Sequence, residues 1–75
     1  MSMLTRPQLE FLVFCIENYA DKYNLDAKKV YNAFKENDNY IKNYIINNFD
    51  VLHTQGKNYI VDDLNRVLNE KGIKI

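Results

Sequence analysis

The first third of the chain has the hydrophobic spacing of an amphipathic helix. Its apolar residues recur at steps of three and four positions, which places them on one stripe at about 100° per residue. The members of this stripe are Leu9, Leu12, Val13, Ile16, Tyr19, Ala20 and Tyr23. Pro7 suits the first turn of a helix, where its missing N–H has no intrahelical partner. We therefore predict a helix over about residues 7–23.

Two polar breaks divide the middle of the chain. At the first, Asp26 is a predicted N-cap, and Leu25 before it is placed to pack on Val30, the fourth residue of the next helix. The short helix that follows ends near residue 36. The second break is Asn37-Asp38-Asn39, where Asp38 is again a predicted cap. A third helix is then expected over about residues 39–48.

The last quarter of the chain contains a further helix with a clear apolar stripe. Its members are Ile60, Val61, Leu64, Val67 and Leu68. We place Asp62 and Asp63 in its first turn and Lys71 in its last, as the helix dipole favours. Gly72 suits the left-handed residue after the helix, and Gly56 is expected to supply a positive φ before it.

Because no segment alternates as a strand would, the predicted fold class is all-α. We expect a small compact bundle of about four helices, two of them short, in which the first and last helices form the main pair. Neither an internal repeat nor a linker divides the chain, so residues 1–75 are predicted to form a single helical domain.

Composition excludes several classes of function. The 10 basic and 10 acidic residues cancel, which argues against a protein dedicated to nucleic acid or anionic lipid. The sequence has no apolar run of about 18 residues, so no membrane span is expected. The lone Cys15 excludes an internal disulfide and fits a reducing cytoplasm. A core of this size rarely supplies more than about 3–5 kcal/mol, so the chain must either pack unusually well or share its core with a partner.

Candidate catalytic residues are few. Cys15 stands in an apolar run, where a buried hydrophobe is expected rather than a nucleophile. His53 is expected to hydrogen-bond nearby backbone rather than to act as a general base. The run Gln55-Gly56-Lys57-Asn58 lacks the first glycine and the Ser/Thr of a phosphate-binding loop. We therefore expect no enzymatic activity, no metal and no cofactor.

Two aromatic residues of the predicted first helix fall on the side opposite its apolar stripe. Phe11 and Phe14 lie there among the polar residues Glu10, Glu17, Asn18, Asp21 and Lys22. Burying a Phe is worth roughly 1.5–3 kcal/mol, so leaving two of them in water sacrifices stability. In one interpretation, the last helix covers this second side of the first helix. In the other, Phe11 and Phe14 contact another protein or a second copy of this chain.

A DNA-binding function is the alternative from a different class. The short helix, polar turn and following helix of residues 27–48 have the outline of a helix-turn-helix. Asn39, Asn43 and Asn47 share one face of the second of these helices, with Lys42 nearby, and asparagine can pair with adenine. This segment has no arginine to contact phosphate, and an exposed polar stripe explains the pattern equally well.

Two segments together resemble a known microbial family. They are EFLVFCIENY at residues 10–19 and DVLHTQGKNYIVDD at residues 50–63, of which the string LHTQG is the most specific part. The family is catalogued as domain of unknown function 3791 (DUF3791), and the resemblance covers nearly the whole chain. It implies a small cytoplasmic protein, often encoded near a second family similar to ADP-ribosyltransferase toxins. That association implies a role as the neutralising partner of a toxin-like protein.

The resemblance also draws attention to the loop of residues 53–56. If the family keeps the LHTQG string, then His53, Thr54, Gln55 and Gly56 form a binding loop. The alternative is that Leu52 fills the core while His53, Thr54 and Gln55 satisfy backbone groups between two helices. Overall, we expect a non-catalytic module that binds another protein through the Phe11/Phe14 face or through this loop.

Overall fold

In the computed structural model, which describes residues 4–75, the chain folds into four α-helices. These are α1 (Arg6–Tyr23), α2 (Ala27–Asn47), α3 (Phe49–Leu52) and α4 (Lys57–Lys71). Since residues 4–75 contain no strand, the all-α prediction is confirmed. Residues 1–3 of the predicted domain lie outside the described residues. Within residues 4–75, no helix combines the length and the apolar content that crossing a membrane requires.

Helix α1 begins with a reciprocal pair of hydrogen bonds. The backbone N–H of Gln8 donates to Thr5 Oγ1 at 3.2 Å, and the backbone N–H of Thr5 donates to Gln8 Oε1 at 2.9 Å. This is a capping box, and Pro7 lies in the first turn as predicted. Asn24 ends the helix in a left-handed conformation with φ 53°. The predicted bounds of residues 7–23 are therefore correct to within one residue.

Helix α2 is bent in the middle, where the polar break was predicted. Residues 36–39 leave the helical conformation, so that residues 27–35 and 40–47 form separate helical halves. Asn37, Asp38 and Asn39 have φ values of 56°, 58° and 63°. The prediction that Asp38 caps the second half is wrong, because an N-cap residue is extended and Asp38 is left-handed. Short polar side chains tolerate this conformation better than other non-glycine residues do.

The remaining helix ends follow the predictions in part. Asp26 accepts a hydrogen bond from the backbone N–H of Lys28 at 2.8 Å, which confirms it as the N-cap of α2. Gly72 ends α4 with φ 75°, as expected for a left-handed terminal residue. Gly56 has φ −72° and ψ 158°, so the prediction of a positive φ is wrong. Gly56 instead occupies the extended N-cap position of α4.

Helix α4 begins at Lys57, so Asp62 and Asp63 lie beyond its first turn. Their predicted position at the helix start is therefore wrong. Both carboxylates bind other helices instead. Lys22 Nζ of α1 lies 2.5 Å from Asp62 Oδ1, and the Tyr44 hydroxyl of α2 donates to Asp63 Oδ2 at 2.5 Å. These contacts help to hold α4 against the other two long helices.

The buried side of α1 is rotated relative to the predicted stripe. Its buried residues are Phe11, Leu12, Cys15, Ile16, Tyr19 and Ala20. Leu9, Val13 and Tyr23, which were assigned to the core, are exposed. Helix α1 packs against both α2 and α4, and its buried arc is wider than the predicted stripe and shifted towards Phe11 and Cys15. The contact of α1 with α2 is more extensive than its contact with α4, so the expected main pair of first and last helices is wrong.

Candidate functional site

A shallow groove opens where α1 meets α3 and the start of α4. Its volume is about 380 Å³, near the lower end of the range for ligand sites. The residues that line it, which we call the aromatic groove, are Pro7, Glu10, Phe11, Phe14, Phe49, His53, Gln55 and Ile60. The groove thus brings together two features that lie almost 40 positions apart in the sequence: the Phe11/Phe14 pair and the loop that begins at His53.

Four aromatic rings form a continuous cluster along this groove. The rings of Phe11 and Phe14 are nearly parallel, with centroids 6.0 Å apart and planes 14° apart. Phe11 meets Phe49 edge to face at 5.5 Å and 78°. Phe49 in turn stacks on His53 at 4.4 Å and 4°. Aromatic pairs prefer these offset and edge-to-face arrangements, so the cluster positions each ring through its neighbour.

The two phenylalanines of α1 have different environments. Phe11 is 9% exposed and belongs to the core, whereas Phe14 is 38% exposed. The expectation that both rings point away from the core is therefore wrong for Phe11, which packs against Phe49 of α3. It is Phe14 that presents aromatic surface to solvent.

The loop after α3 is held by hydrogen bonds from its side chains to the backbone. His53 Nδ1 lies 2.6 Å from the carbonyl oxygen of Phe49, and the hydroxyl of Thr54 donates to the carbonyl oxygen of Val51 at 2.7 Å. Leu52 is buried in the core. As expected in the alternative to a binding loop, Leu52 fills the core. His53 and Thr54 satisfy backbone carbonyl groups between two helices.

The His53 ring has a defined hydrogen-bonding state when it is neutral. A carbonyl oxygen can only accept, so Nδ1 carries the proton that it donates to Phe49. Nε2 is then the acceptor of the neutral ring. The His53 side chain is exposed and lines the groove, which gives the groove an acceptor beside its aromatic surface.

The predicted loop residues do not all face the groove. His53 and Gln55 line it, whereas Thr54 and Gly56 are not among its lining residues. A Cβ atom added at Gly56 would meet no neighbouring atom within 4 Å. Nothing in the local structure therefore requires a glycine at position 56, and its place among the partner-binding residues is not supported by geometry.

Glu10 supplies negative charge at the edge of the groove. Its carboxylate lies 3.5 Å from Arg6 Nε, and both side chains are largely exposed. Exposed ion pairs of this kind contribute between about 0 and 1 kcal/mol. Among the described residues that line the groove, none is a lysine or an arginine. The aromatic groove therefore combines apolar rings with one carboxylate.

Four of the lining residues were not predicted from the sequence, although helical spacing places three of them beside predicted ones. Pro7 and Glu10 precede Phe11 and Phe14 by four positions, and Phe49 precedes His53 by four, so each pair shares a helix face. Ile60 comes from a different helix and is buried beneath the groove. No local pattern in the sequence places it there.

The residues of the DNA-binding alternative are arranged only in part as predicted. Asn39 belongs to the left-handed turn, so its assignment to the face of the following helix is wrong. Asn43 and Asn47 are exposed, and both line a polar depression that also includes Asp38. Lys42 is not among the residues of that depression. The DNA-binding function itself stays a prediction.

Cys15 lies in the core, away from the groove. Its side chain is fully buried, and this burial raises the pKa of the thiol to about 12. A thiol of this kind is not a nucleophile at neutral pH. Within residues 4–75, no three His, Cys, Asp or Glu residues are grouped so that they could hold a metal ion.

Comparison with known proteins identifies the family. No curated protein and no solved structure matches the chain significantly. The family model described as "Protein of unknown function (DUF3791)" matches residues 10–71, a range that contains all of the groove residues except Pro7. Because this match covers well over half of the 75 residues, the chain belongs to the DUF3791 family.

Proposed function

We propose that the chain is a non-catalytic module that binds another protein through the aromatic groove. The observation that carries this proposal is the convergence of Phe14 and His53 on one surface, although they come from different helical elements. Phe14 offers exposed aromatic area, and His53 and Glu10 offer polar groups beside it. Aromatic anchors with polar groups at their rim are typical of protein interfaces.

The proposed partner is a toxin-like protein that this chain neutralises in the cytoplasm. This part of the proposal rests on the gene neighbourhood that the family resemblance implies. The small core supports it indirectly, since a domain of this length gains stability when a partner covers its exposed apolar surface.

Affinity purification from the native host tests the proposal. The tagged chain is compared with Phe14→Ser and with a control, Val51→Ser, which removes an exposed apolar side chain that does not line the groove. We expect one stoichiometric partner with the wild type and the control, and its loss with Phe14→Ser. Binding of the purified partner is then measured by calorimetry. A chain that is recovered alone and monomeric contradicts the proposal, as does a partner that Phe14→Ser still binds with wild-type affinity.

Co-expression tests the neutralising role separately. The neighbouring toxin-like protein is expressed with the wild-type chain, Phe14→Ser or Val51→Ser. We expect the wild type and Val51→Ser to restore growth and Phe14→Ser to fail at equal expression level. If the wild-type chain does not restore growth, the neutralising role is wrong even where a partner binds.

A further inference from the structure

The aromatic groove combines ring surface with negative charge, and this combination selects one chemistry of ligand. Cations are attracted to the faces of aromatic rings and to carboxylates alike. We infer that the groove holds an arginine side chain from a basic segment of the partner protein, with the guanidinium against Phe14 and Glu10. The inference rests on the proposed function and names the group that this surface recognises.

The aromatic rings elsewhere on the surface provide a comparison within the same molecule. Tyr23, Tyr31 and Tyr40 are exposed, and each has a lysine of this chain over its ring, whereas the exposed Tyr59 has no such contact among the described residues. The distances from the lysine Nζ atoms to the ring centroids are 5.7, 5.0 and 4.6 Å in that order. Among the described residues, no such cation lies over Phe14, although its exposure is similar to theirs. The groove therefore has an exposed ring that a cation from another molecule can cover, and Glu10 beside it distinguishes this ring from the exposed Tyr59 outside the groove.

The charges around Phe14 complement a cation. Glu10 and Glu17 lie four positions before and three positions after Phe14, which places both carboxylates beside the ring on the exposed face of α1. The only basic side chain paired with either of them in the described part of the chain is Arg6, at 3.5 Å from Glu10. Because that contact is long and solvent-exposed, a guanidinium bound against Phe14 can replace it.

Arginine fits this surface better than lysine does. The guanidinium is planar, so it can stack on a ring while its N–H groups donate to a carboxylate in the same plane. His53 adds an acceptor, because its Nδ1 already donates to the carbonyl oxygen of Phe49. A groove with a ring, a carboxylate and an imidazole that can accept through Nε2 matches a group that only donates hydrogen bonds.

Small probes test the inference on the full chain. Nα-acetylarginine amide, its neutral isostere Nα-acetylcitrulline amide, and Nα-acetyllysine amide are each titrated while NMR follows the ring resonances of Phe14 and His53. The Tyr59 ring is exposed and outside the groove, and it serves as the internal reference. We expect saturable shifts at Phe14 and His53 with the arginine probe, weaker shifts with the lysine probe, and none with citrulline. Equal shifts with citrulline, or no shifts with arginine, overturn the inference.

Four variants separate cation binding from simple apolar docking. Phe14→Leu keeps an apolar side chain but removes the ring, so we expect it to weaken arginine binding about two- to fivefold. Glu10→Gln is expected to weaken it about twofold or more, whereas Glu70→Gln is a matched control because Glu70 also pairs with an arginine four positions away. Arg6→Gln removes the competing cation and should strengthen binding. Unchanged binding in Phe14→Leu, or weaker binding in Arg6→Gln, overturns the inference.

Two of these variants, compared with Phe14→Ser, distinguish this inference from the proposed function. A partner that loses affinity with Phe14→Ser but binds Phe14→Leu and Glu10→Gln normally supports the interaction module and overturns the arginine inference. A partner that also binds Phe14→Ser normally contradicts the module itself. Weaker binding with all three variants supports both proposals.

Discussion

Phe11 and Phe14 lie three positions apart on α1 with their rings nearly parallel and 6.0 Å apart, yet only Phe14 has substantial exposure. One ring is therefore part of the core, and its neighbour is part of the surface. The stack connects them, since Phe11 is fixed by its edge-to-face contact with Phe49 and so positions Phe14 at the groove. A hydrophobic pair at this spacing can serve stability and recognition at the same time.

Alanine substitutions at these two positions are expected to have unequal effects on stability. Phe11→Ala should lower the free energy of unfolding by about 3–5 kcal/mol, as for other buried phenylalanines. Phe14→Ala should cost about 1 kcal/mol, because the Phe14 ring is already partly in water. Urea denaturation measures both values. A loss of cooperative unfolding in Phe11→Ala agrees with the predicted order, whereas a larger cost for Phe14→Ala contradicts it.

The two glycines are expected to differ in their tolerance of a side chain. Gly72 has φ 75°, where a Cβ atom is strained, so Gly72→Ala should destabilise the chain by about 1 kcal/mol. Gly56 has φ −72° and open space around it, so Gly56→Ser, which keeps a residue favoured at the N-cap, should change stability by less than about 0.5 kcal/mol. Thermal unfolding of the two variants measures the difference. Equal destabilisation would show that Gly56 has a constraint beyond its backbone conformation.

Tyr44 is expected to make the chain sensitive to alkaline pH. Burial and the hydrogen bond to Asp63 raise the pKa of Tyr44 to about 12 in the folded protein, from a usual value of 10.0. A raised folded pKa contributes stability that is complete below the unfolded pKa and is lost as pH rises through the folded one. Stability should therefore fall between pH 10 and 12.

The variant Tyr44→Phe isolates this contribution. It should be less stable than the wild type near neutral pH, because the hydrogen bond to Asp63 is absent. Its stability should then decline less steeply between pH 10 and 12, and the exposed control Tyr59→Phe should decline as the wild type does. Urea midpoints across this pH range provide the measurement. Parallel declines in Tyr44→Phe and the wild type would refute the assignment.

Cys15 is expected to react only when the chain opens. Burial raises the pKa of the thiol to about 12, so the thiolate is scarce at pH 8 and also inaccessible. A disulfide reagent such as Ellman's should therefore modify the native chain slowly, at a rate that rises with urea as unfolding does. Modification in native buffer at the rate of a free thiol would contradict the buried position.

The positions of helices and breaks could be read from local patterns. The bounds of α1, the cap at Asp26, the turn at residues 36–39 and the terminal Gly72 were all predicted, because each depends on a few adjacent residues. The α4 stripe from Ile60 to Leu68 was also predicted and is buried. The family resemblance, likewise carried by two local strings, was confirmed.

Only tertiary packing decided which faces of the helices are buried and where the groove lies. The stripe of α1 was misplaced at Leu9 and Val13 because the neighbouring helices cover an arc shifted towards Phe11 and Cys15, and the periodicity of α1 alone does not determine where neighbours lie. The groove needs Phe14 of α1, His53 after α3 and Ile60 of α4 to meet. Local periodicity indicates which residues share a face of one helix. It does not indicate how separate helices pack against one another, and the groove depends on that packing.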